Sequence, residues 1–342
     1  MGKPAASGDA SRGSVAGFFA RCARWGYRLA SPKVRDRLAH IPGAISLYKR
    51  TFKPLLFAKA SSEGLVGITF PTFVMYVDPK DTMGDMAMGE VWEAATTEVF
   101  KKLIRPGDVV VDVGAHWGYF TLLAATLCSP AGSVYSFEPH PRNFALLARN
   151  VAANHLPNVV MAQSAVSNCS GSIQMFAAQS SMGHSIKTIP EEWSAKDGQK
   201  PAAFSASAVS LDEYFAQTPL QPRLVKIDIE GAEPLAWAGM KSLMARHPSL
   251  VLILEFNPAY LDAAAAGDFL NQITAAGFAV AIIDDARRQL AVGSKAAVLN
   301  RFVEGGNVCN VLAARDPALF ETMFQPQDGR EENPGRLERV RL

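Results

Sequence analysis

In the run LVKIDIEG (224–231), three charged side chains, Lys226, Asp228 and Glu230, alternate with apolar residues. A strand covered on both faces is almost wholly apolar, and a period of two puts these three on one side. The next apolar run, VLILEFN (251–257), ends in Glu255 and Asn257. Four charged groups therefore converge at one end of two strands. One account is structural: Lys226 neutralises Asp228 or Glu255, because buried charges persist when paired. The other is chemical, since perturbed charges cluster at reaction sites. Asp228 has the chemistry of a general base toward a hydroxyl, with Lys226 and Glu230 beside it. Asp228, Glu230, Glu255 and Asn257 also make an oxygen set suited to a divalent metal such as Mg²⁺; the reading without a metal is preferred.

A second constellation lies upstream. VVVDVGAHWGYF (109–120) runs from a buried strand into a helix, with Asp112 in the strand and Gly114 and Gly118 bracketing the turn. Glycines there let a ligand approach the backbone. A dinucleotide site wants GxGxxG with pyrophosphate on the helix N-terminus. Here His116 and Trp117 take the room phosphate would need. An acid just before the glycine suits a cationic ligand, such as the amino group of S-adenosylmethionine, and repels pyrophosphate; an ordinary tight turn beside a buried aspartate is the structural alternative. Glu138 ends the following run, SVYSFEP (133–139), 20 residues after Gly118. A carboxylate at that point can accept both hydroxyls of a ribose. Ser164 and Ala165 close the third run, VVMAQSAV (159–166), where backbone groups meet an adenine. Glu93, in GEVWEAAT (89–96), either reaches the methionine end of such a cofactor or stabilises the first turn of a helix. His184, in SMGHSIKT (181–188), is a second candidate base because histidine titrates near neutrality.

These residues need a sheet to hold them. The β-rich runs 109–114, 133–139, 159–166, 224–231, 251–257 and 279–285 are mostly separated by helical stretches at 118–128, 141–154, 233–246 and 262–276, and a last strand follows at 307–314. Strand and helix in alternation predict a doubly wound α/β fold with a mostly parallel sheet. Residues 167–210 form a long insertion, partly strand and partly loop. Two short strands surround Pro71, and a helix spans 90–104. The division expected is a disordered 1–13, an N-terminal helical and strand extension over 14–89, a catalytic domain over 90–316, and a tail over 317–342. The 342 residues are 49% hydrophobic and 19% charged, which excludes wholesale disorder. Cys22, Cys128, Cys169 and Cys309 form no CxxC pair, so a zinc ribbon or disulfide framework is not expected and a reducing cytoplasm fits. Residues 1–60 hold 12 Lys and Arg against 2 acids, a balance of +10, whereas the remainder carries −8. The acidic body does not suit nucleic acid. The basic segment 14–59 has an apolar stripe compatible with lying on an anionic membrane surface; packing on the core with a solvated basic face is the preferred reading.

Taken in order, VVVDVGAHWGYFTL, SFEPHPRNFALLARNV, VSLDEYF (209–215), VKIDIEGAEP (225–234) and LEFNP (254–258) resemble the FkbM family of S-adenosylmethionine-dependent methyltransferases over roughly residues 80–285. The resemblance implies a Rossmann-like class I methyltransferase fold with a seven-stranded sheet including an antiparallel strand. It also implies O-methylation of a small-molecule or glycan hydroxyl. The competing readings are a nicotinamide-dependent oxidoreductase and a non-catalytic methyltransferase-like scaffold.

Overall fold

The computed structural model describes residues 64–78, 81, 91–177, 181, 184–186, 202–218, 220–285, 289–292, 297–300, 308–323 and 339–341. Residues 1–13 and the basic segment 14–59, with its expected membrane contact, lie outside them. The chain divides into two units, residues 1–68 with 77–90, and residues 69–76 with 91–342. Strands β1 (Val66–Thr69) and β2 (Val74–Val77) come first along the described chain. The rest concerns the second unit.

Helix α1 (Ala94–Leu103) leads to β3 (Val109–Val113), α2 (Tyr119–Cys128), β4 (Ser133–Phe137), α3 (Pro141–Ala153) and β5 (Val159–Ala162). After β6 (Ala165–Val166), β7 (Gly171–Ala177), β8 (Ala202–Val209) and the one-turn α4 (Leu211–Tyr214) comes β9 (Pro222–Ile227). Then follow α5 (Glu233–Ala238), α6 (Lys241–Arg246), β10 (Val251–Phe256), α7 (Ala263–Ala275), β11 (Ala279–Asp284), β12 (Gln289–Val292), β13 (Cys309–Ala314), α8 (Ala318–Met323) and β14 (Arg339–Arg341). The main sheet has the order β14-β12-β11-β13-β10-β9-β3-β4-β5. From β5 to β10 neighbours are parallel, and β13 runs antiparallel to both β10 and β11. The seven strands from β5 to β11 make the mostly parallel sheet with one antiparallel strand expected from the sequence, and β12 and β14 lengthen its far edge.

Hydrophobic burial decides which strands lie centrally. Val110, Val111 and Val113 of β3 and Leu224, Val225 and Ile227 of β9 are fully buried. Each such side chain contributes roughly 1.5–3 kcal/mol, enough together to hold Asp112 and Lys226 inside despite the cost of desolvating them. On the helical face Trp237 meets Phe269 and Phe278 edge to face.

Four sequence expectations change. The run 159–166 is two strands: β5 stops at Ala162, and Ala165–Val166 pair with Ala208–Val209 in a three-stranded sheet, β6-β8-β7, built from the insertion. The helix expected over 233–246 breaks at Gly239–Met240. There the Asp212 amide takes the Gly239 carbonyl, and the Asp212 carboxylate accepts from Ser242 N and Leu243 N, starting a new helix. The 224–231 strand ends at Ile227, so Glu230 stands on a turn. The segment expected as tail contains α8 and β14, the latter pairing with β12. No helix among the described residues is long and apolar enough to cross a membrane.

Candidate active site

The C-terminal ends of β3, β4, β9 and β10 bring the two constellations to one sheet edge, where open α/β sheets bind ligands. Gly114 follows β3 with φ +82°. The space where its Cβ would stand is occupied by the Asp228 carbonyl oxygen, 1.8 Å away, so the turn glycine serves the packing of β3 against the end of β9. Gly118, φ +96°, starts α2. Between them His116 has φ +53°, a left-handed conformation costly for a residue with a Cβ. Its amide thereby donates to Glu138 Oε2 at 2.9 Å, while His140 N donates to Oε1 at 2.9 Å. Burial raises the Glu138 carboxyl to about 7 against these two donors. The His116 ring stacks on the buried Trp117, whose indole N–H donates to Asn143. Two bulky rings and a carboxylate thus occupy the turn that a pyrophosphate would need. Asp112 is buried and accepts from Thr121 Oγ1 at 2.6 Å; its Oδ1 has no hydrogen-bond partner among the described residues. Burial pushes its carboxyl up.

On the other side, Lys226 is 2% exposed, and its ammonium lies 2.6 Å from Asp228 Oδ2 and 4.9 Å from the centre of the Phe120 ring. The charges of Asp228, Glu93 and Asp112 outweigh burial and raise its affinity for the proton. One buried cation therefore serves both constellations. The expected same-side placement holds for Lys226 and Asp228, whereas Glu230 arrives by a left-handed turn, φ +54°, and accepts from Asn257 Nδ2 at 2.7 Å. Asp228, Glu230 and Glu255 offer carboxylate oxygens all within 4.8 Å of one another and could hold a divalent ion. Burial, reinforced by mutual repulsion, raises Glu230 and Glu255 well above the usual carboxylate range.

Glu233, fully buried, was not singled out in the sequence. Its Oε1 accepts from Ile229 N at 3.0 Å and Gly231 N at 3.2 Å, clamping the turn that carries Glu230. Glu233→Ala is expected to strand two buried amides and cost about 2–4 kcal/mol. Glu233→Gln, which keeps an oxygen there, retains most of that stability. Thermal melts of both variants check this; equal losses would refute the clamp.

Glu93 stands where a helix N-cap should, but makes no side-chain cap bond. Asp285 does this instead, Oδ1 accepting from Ala95 N at 2.7 Å and Thr96 N at 3.0 Å. Burial pushes Glu93 up to about 8. His184 lies beside His140, ring centroids 4.0 Å apart, and the next residue, Ser185, donates to the Glu230 carbonyl at 2.7 Å. Ser181 of the same stretch meets His116 Nε2 at 2.7 Å and accepts from Asn143 Nδ2 at 3.0 Å, so the insertion reaches both constellations. Ser164 sits in the bend between β5 and β6, and Ala165 belongs to the small sheet. Asn143, Asp285 and Asn310 were not anticipated. Of these, only Asn310 carried a signal, as an amide inside the apolar run CNVLAA.

Residues 112–280 match the family model described as the methyltransferase FkbM domain. The chain is 46% identical over 68 residues to the 31-O-demethyl-FK506 methyltransferase FkbM of Streptomyces tacrolimicus; the aligned part is 20% of this chain and 25% of that relative. Among solved structures, the methyltransferase FkbM of Methylobacillus flagellatus KT aligns at 13% identity and TM-score 0.37, covering 67% of this chain and 52% of that one. Aeropyrum pernix fibrillarin in complex with natively bound S-adenosyl-L-methionine aligns at 10% identity and TM-score 0.37, covering 73% and 83%. Neither alignment carries the likeness; the family model does, and its matched span contains the glycine turn, Glu138 and the DIEGAE segment: residues 112–280 of this chain are similar throughout to the FkbM methyltransferase domain.

Proposed function

We propose that this chain is an S-adenosylmethionine-dependent O-methyltransferase acting on a hydroxyl of a sugar, glycan or other natural product. The observation that carries the reading is Asp228: a partly exposed carboxylate, 24%, fixed by a buried lysine at the C-terminal end of a central strand. The relative named for 31-O-demethyl-FK506 supports an oxygen acceptor. When bound, the cofactor supplies an electrophilic methyl on a sulfonium. Glu138 accepts the ribose hydroxyls, Asp112 and Glu93 face the cationic end, and the turn at Gly114–Gly118 carries the nucleoside. Ser164 and Ala165 lie toward the adenine. On the acceptor side, Asp228 would take the proton of the acceptor hydroxyl whose oxygen receives the methyl group. Lys226 fixes Asp228; Glu230 and His184 border the acceptor.

Thermal shift with S-adenosylhomocysteine and with NADH tests the cofactor class, and stabilisation by NADH alone would sink the reading. Glu138→Ala is expected to weaken S-adenosylhomocysteine binding by about 1–3 kcal/mol. The pH dependence has a definite sign. The ribose hydroxyls donate to the ionised carboxylate, and that form grows as pH rises through about 7. Ionisation of Glu138 should therefore contribute about a tenfold rise in wild-type affinity from pH 6 to 8, and the alanine variant should lose that contribution. The same shift acts oppositely on folding. A buried carboxyl whose native value lies above its ordinary 4.5 contributes a stability loss that develops as pH rises from 4.5 to about 7. Calorimetric titration across this range measures the binding profile.

A further inference from the structure

We infer that Asn310, on β13, is a positioning residue that sets the Glu93 carboxyl against the cofactor's α-ammonium group. This rests on the proposed S-adenosylmethionine site and deepens it.

Three observations converge. First, Glu93 adopts φ +41°, a left-handed conformation that a residue with a Cβ takes only when its surroundings impose it. Second, the usual reason for an acidic residue there is absent. The amides of Ala95 and Thr96 and the Thr96 hydroxyl all donate to Asp285, so helix α1 is capped from the end of β11. The capping position is filled from a strand 190 residues away, and the Glu93 carboxyl is turned elsewhere. Third, that carboxyl meets Asn310, whose Nδ2 donates to Glu93 Oε2 at 2.9 Å and to Thr96 Oγ1 at 3.0 Å, with Asp285 Oδ2 at 3.5 Å.

Asn310 is an expensive residue for its place. Every residue of β13 is buried, and Asn310 is 6% exposed. Its Oδ1 has no partner among the described residues. An amide half-satisfied in a central strand costs stability against an apolar side chain of the same size. A purely structural strand would be better served by valine, as at Val311. What the amide provides is a fixed donor between the cap at Asp285 and the acid at Glu93. The groups acting on Glu93 by charge are Lys226, Asp228 and Asp285, drawn from β9 and the end of β11. Lys226 attracts the carboxylate and the two aspartates repel it, so without the Asn310 bond the carboxyl is drawn toward Lys226, away from the place where it faces an ammonium.

The test is calorimetric titration of the full-length protein with two probes. S-adenosylhomocysteine carries the amino-acid end; 5′-methylthioadenosine has the same nucleoside without it. Asn310→Ala should weaken S-adenosylhomocysteine about tenfold or more, the scale of a hydrogen bond to a charged group, and leave 5′-methylthioadenosine within about twofold. Glu93→Ala should reproduce the pattern. Asn310→Asp, which keeps the shape but donates only when protonated, should bind S-adenosylhomocysteine nearly as wild type at low pH and fall progressively further behind it as pH rises. If Asn310→Ala does not fold, Asn310→Ser takes its place in the same comparison. Loss of both probes in equal measure would mean a structural role and overturn the inference. An effect of Glu93→Ala with none from Asn310→Ala overturns it while leaving the cofactor reading intact. No binding of either probe by the wild type overturns both.

Discussion

Gly114→Ala is expected to leave no stably folded protein. Gly114 has φ +82°, which costs an alanine roughly 1–2 kcal/mol by itself. The larger penalty is steric: the new Cβ would stand 1.8 Å from the Asp228 carbonyl oxygen and 2.9 Å from its carbon, and both atoms are backbone. Neither side can yield cheaply. Gly114 N and Ala115 N both donate to the Phe137 carbonyl at 3.0 Å, and Asp228 N donates to the Val113 carbonyl at 3.0 Å, so the turn is tied to the strands on both flanks. Relief requires β3 and β9 to part at the centre of the sheet. A loss on the order of 4 kcal/mol or more follows, against a total stability of about 5–15 kcal/mol. Gly118→Ala is the control. Its Cβ would meet a leucine methyl, Leu147 Cδ1, at 2.6 Å, and a side-chain end can move. Soluble yield and melting temperature of the two variants decide: a Gly114→Ala protein melting as high as Gly118→Ala would refute the packing argument.

That glycine marks the limit of what the sequence reveals. Its position and the turn were legible, because a valine run ending in Asp-Val-Gly before a helical pattern has few other structures. Its reason was not. A glycine beside a ligand and a glycine beside a neighbouring strand's carbonyl look alike until the register of β3 with β9 is known. The same holds for Glu230. Alternation with Lys226 and Asp228 put it on a strand face, whereas the clamp by Glu233 on Ile229 N and Gly231 N ends the strand and turns Glu230 in by another route. Lys226 beside Asp228 was legible because a two-residue offset within a strand is local. Glu93, Asp285 and Asn310 lie up to 217 residues apart, and no local pattern reports that α1 is capped from a distant strand. The break of β5 at Ala162 was hidden for a related reason: the chain keeps β composition while changing sheets, and only pairing with Ala208–Val209 separates β6.

Asp228→Asn should abolish most turnover while sparing the cofactor site. In the proposed reaction Asp228 acts on the acceptor oxygen alone, so the loss appears in the chemical step, at least ~10²-fold, the usual scale for a general base. S-adenosylhomocysteine affinity should stay within a few-fold, because Glu138 and the Gly114–Gly118 turn are untouched. The amide still accepts a hydrogen bond from Lys226, but it no longer neutralises that ammonium, which is 2% exposed. Some stability is therefore lost as well. The exposure of Asp228 moderates the loss, since solvent screens a partly exposed pair. A structural role alone predicts the reverse pattern: a lower melting temperature with the surviving folded fraction fully active. Single-turnover rate and melting temperature, measured on the same preparation, separate the two. Chelation then distinguishes base from ligand. Asp228, Glu230 and Glu255 stand within 4.8 Å of one another, so if a divalent ion acidified the acceptor hydroxyl, EDTA would depress the wild-type rate and Mg²⁺ would restore it. In that case Glu255→Gln should fall as far as Asp228→Asn, because each removes one ligand. If Asp228 works as a base without metal, EDTA leaves the rate unchanged and Glu255→Gln remains far more active than Asp228→Asn. A folded, fully active Asp228→Asn protein would end both roles and return the Lys226–Asp228 pair to the structure of the sheet edge.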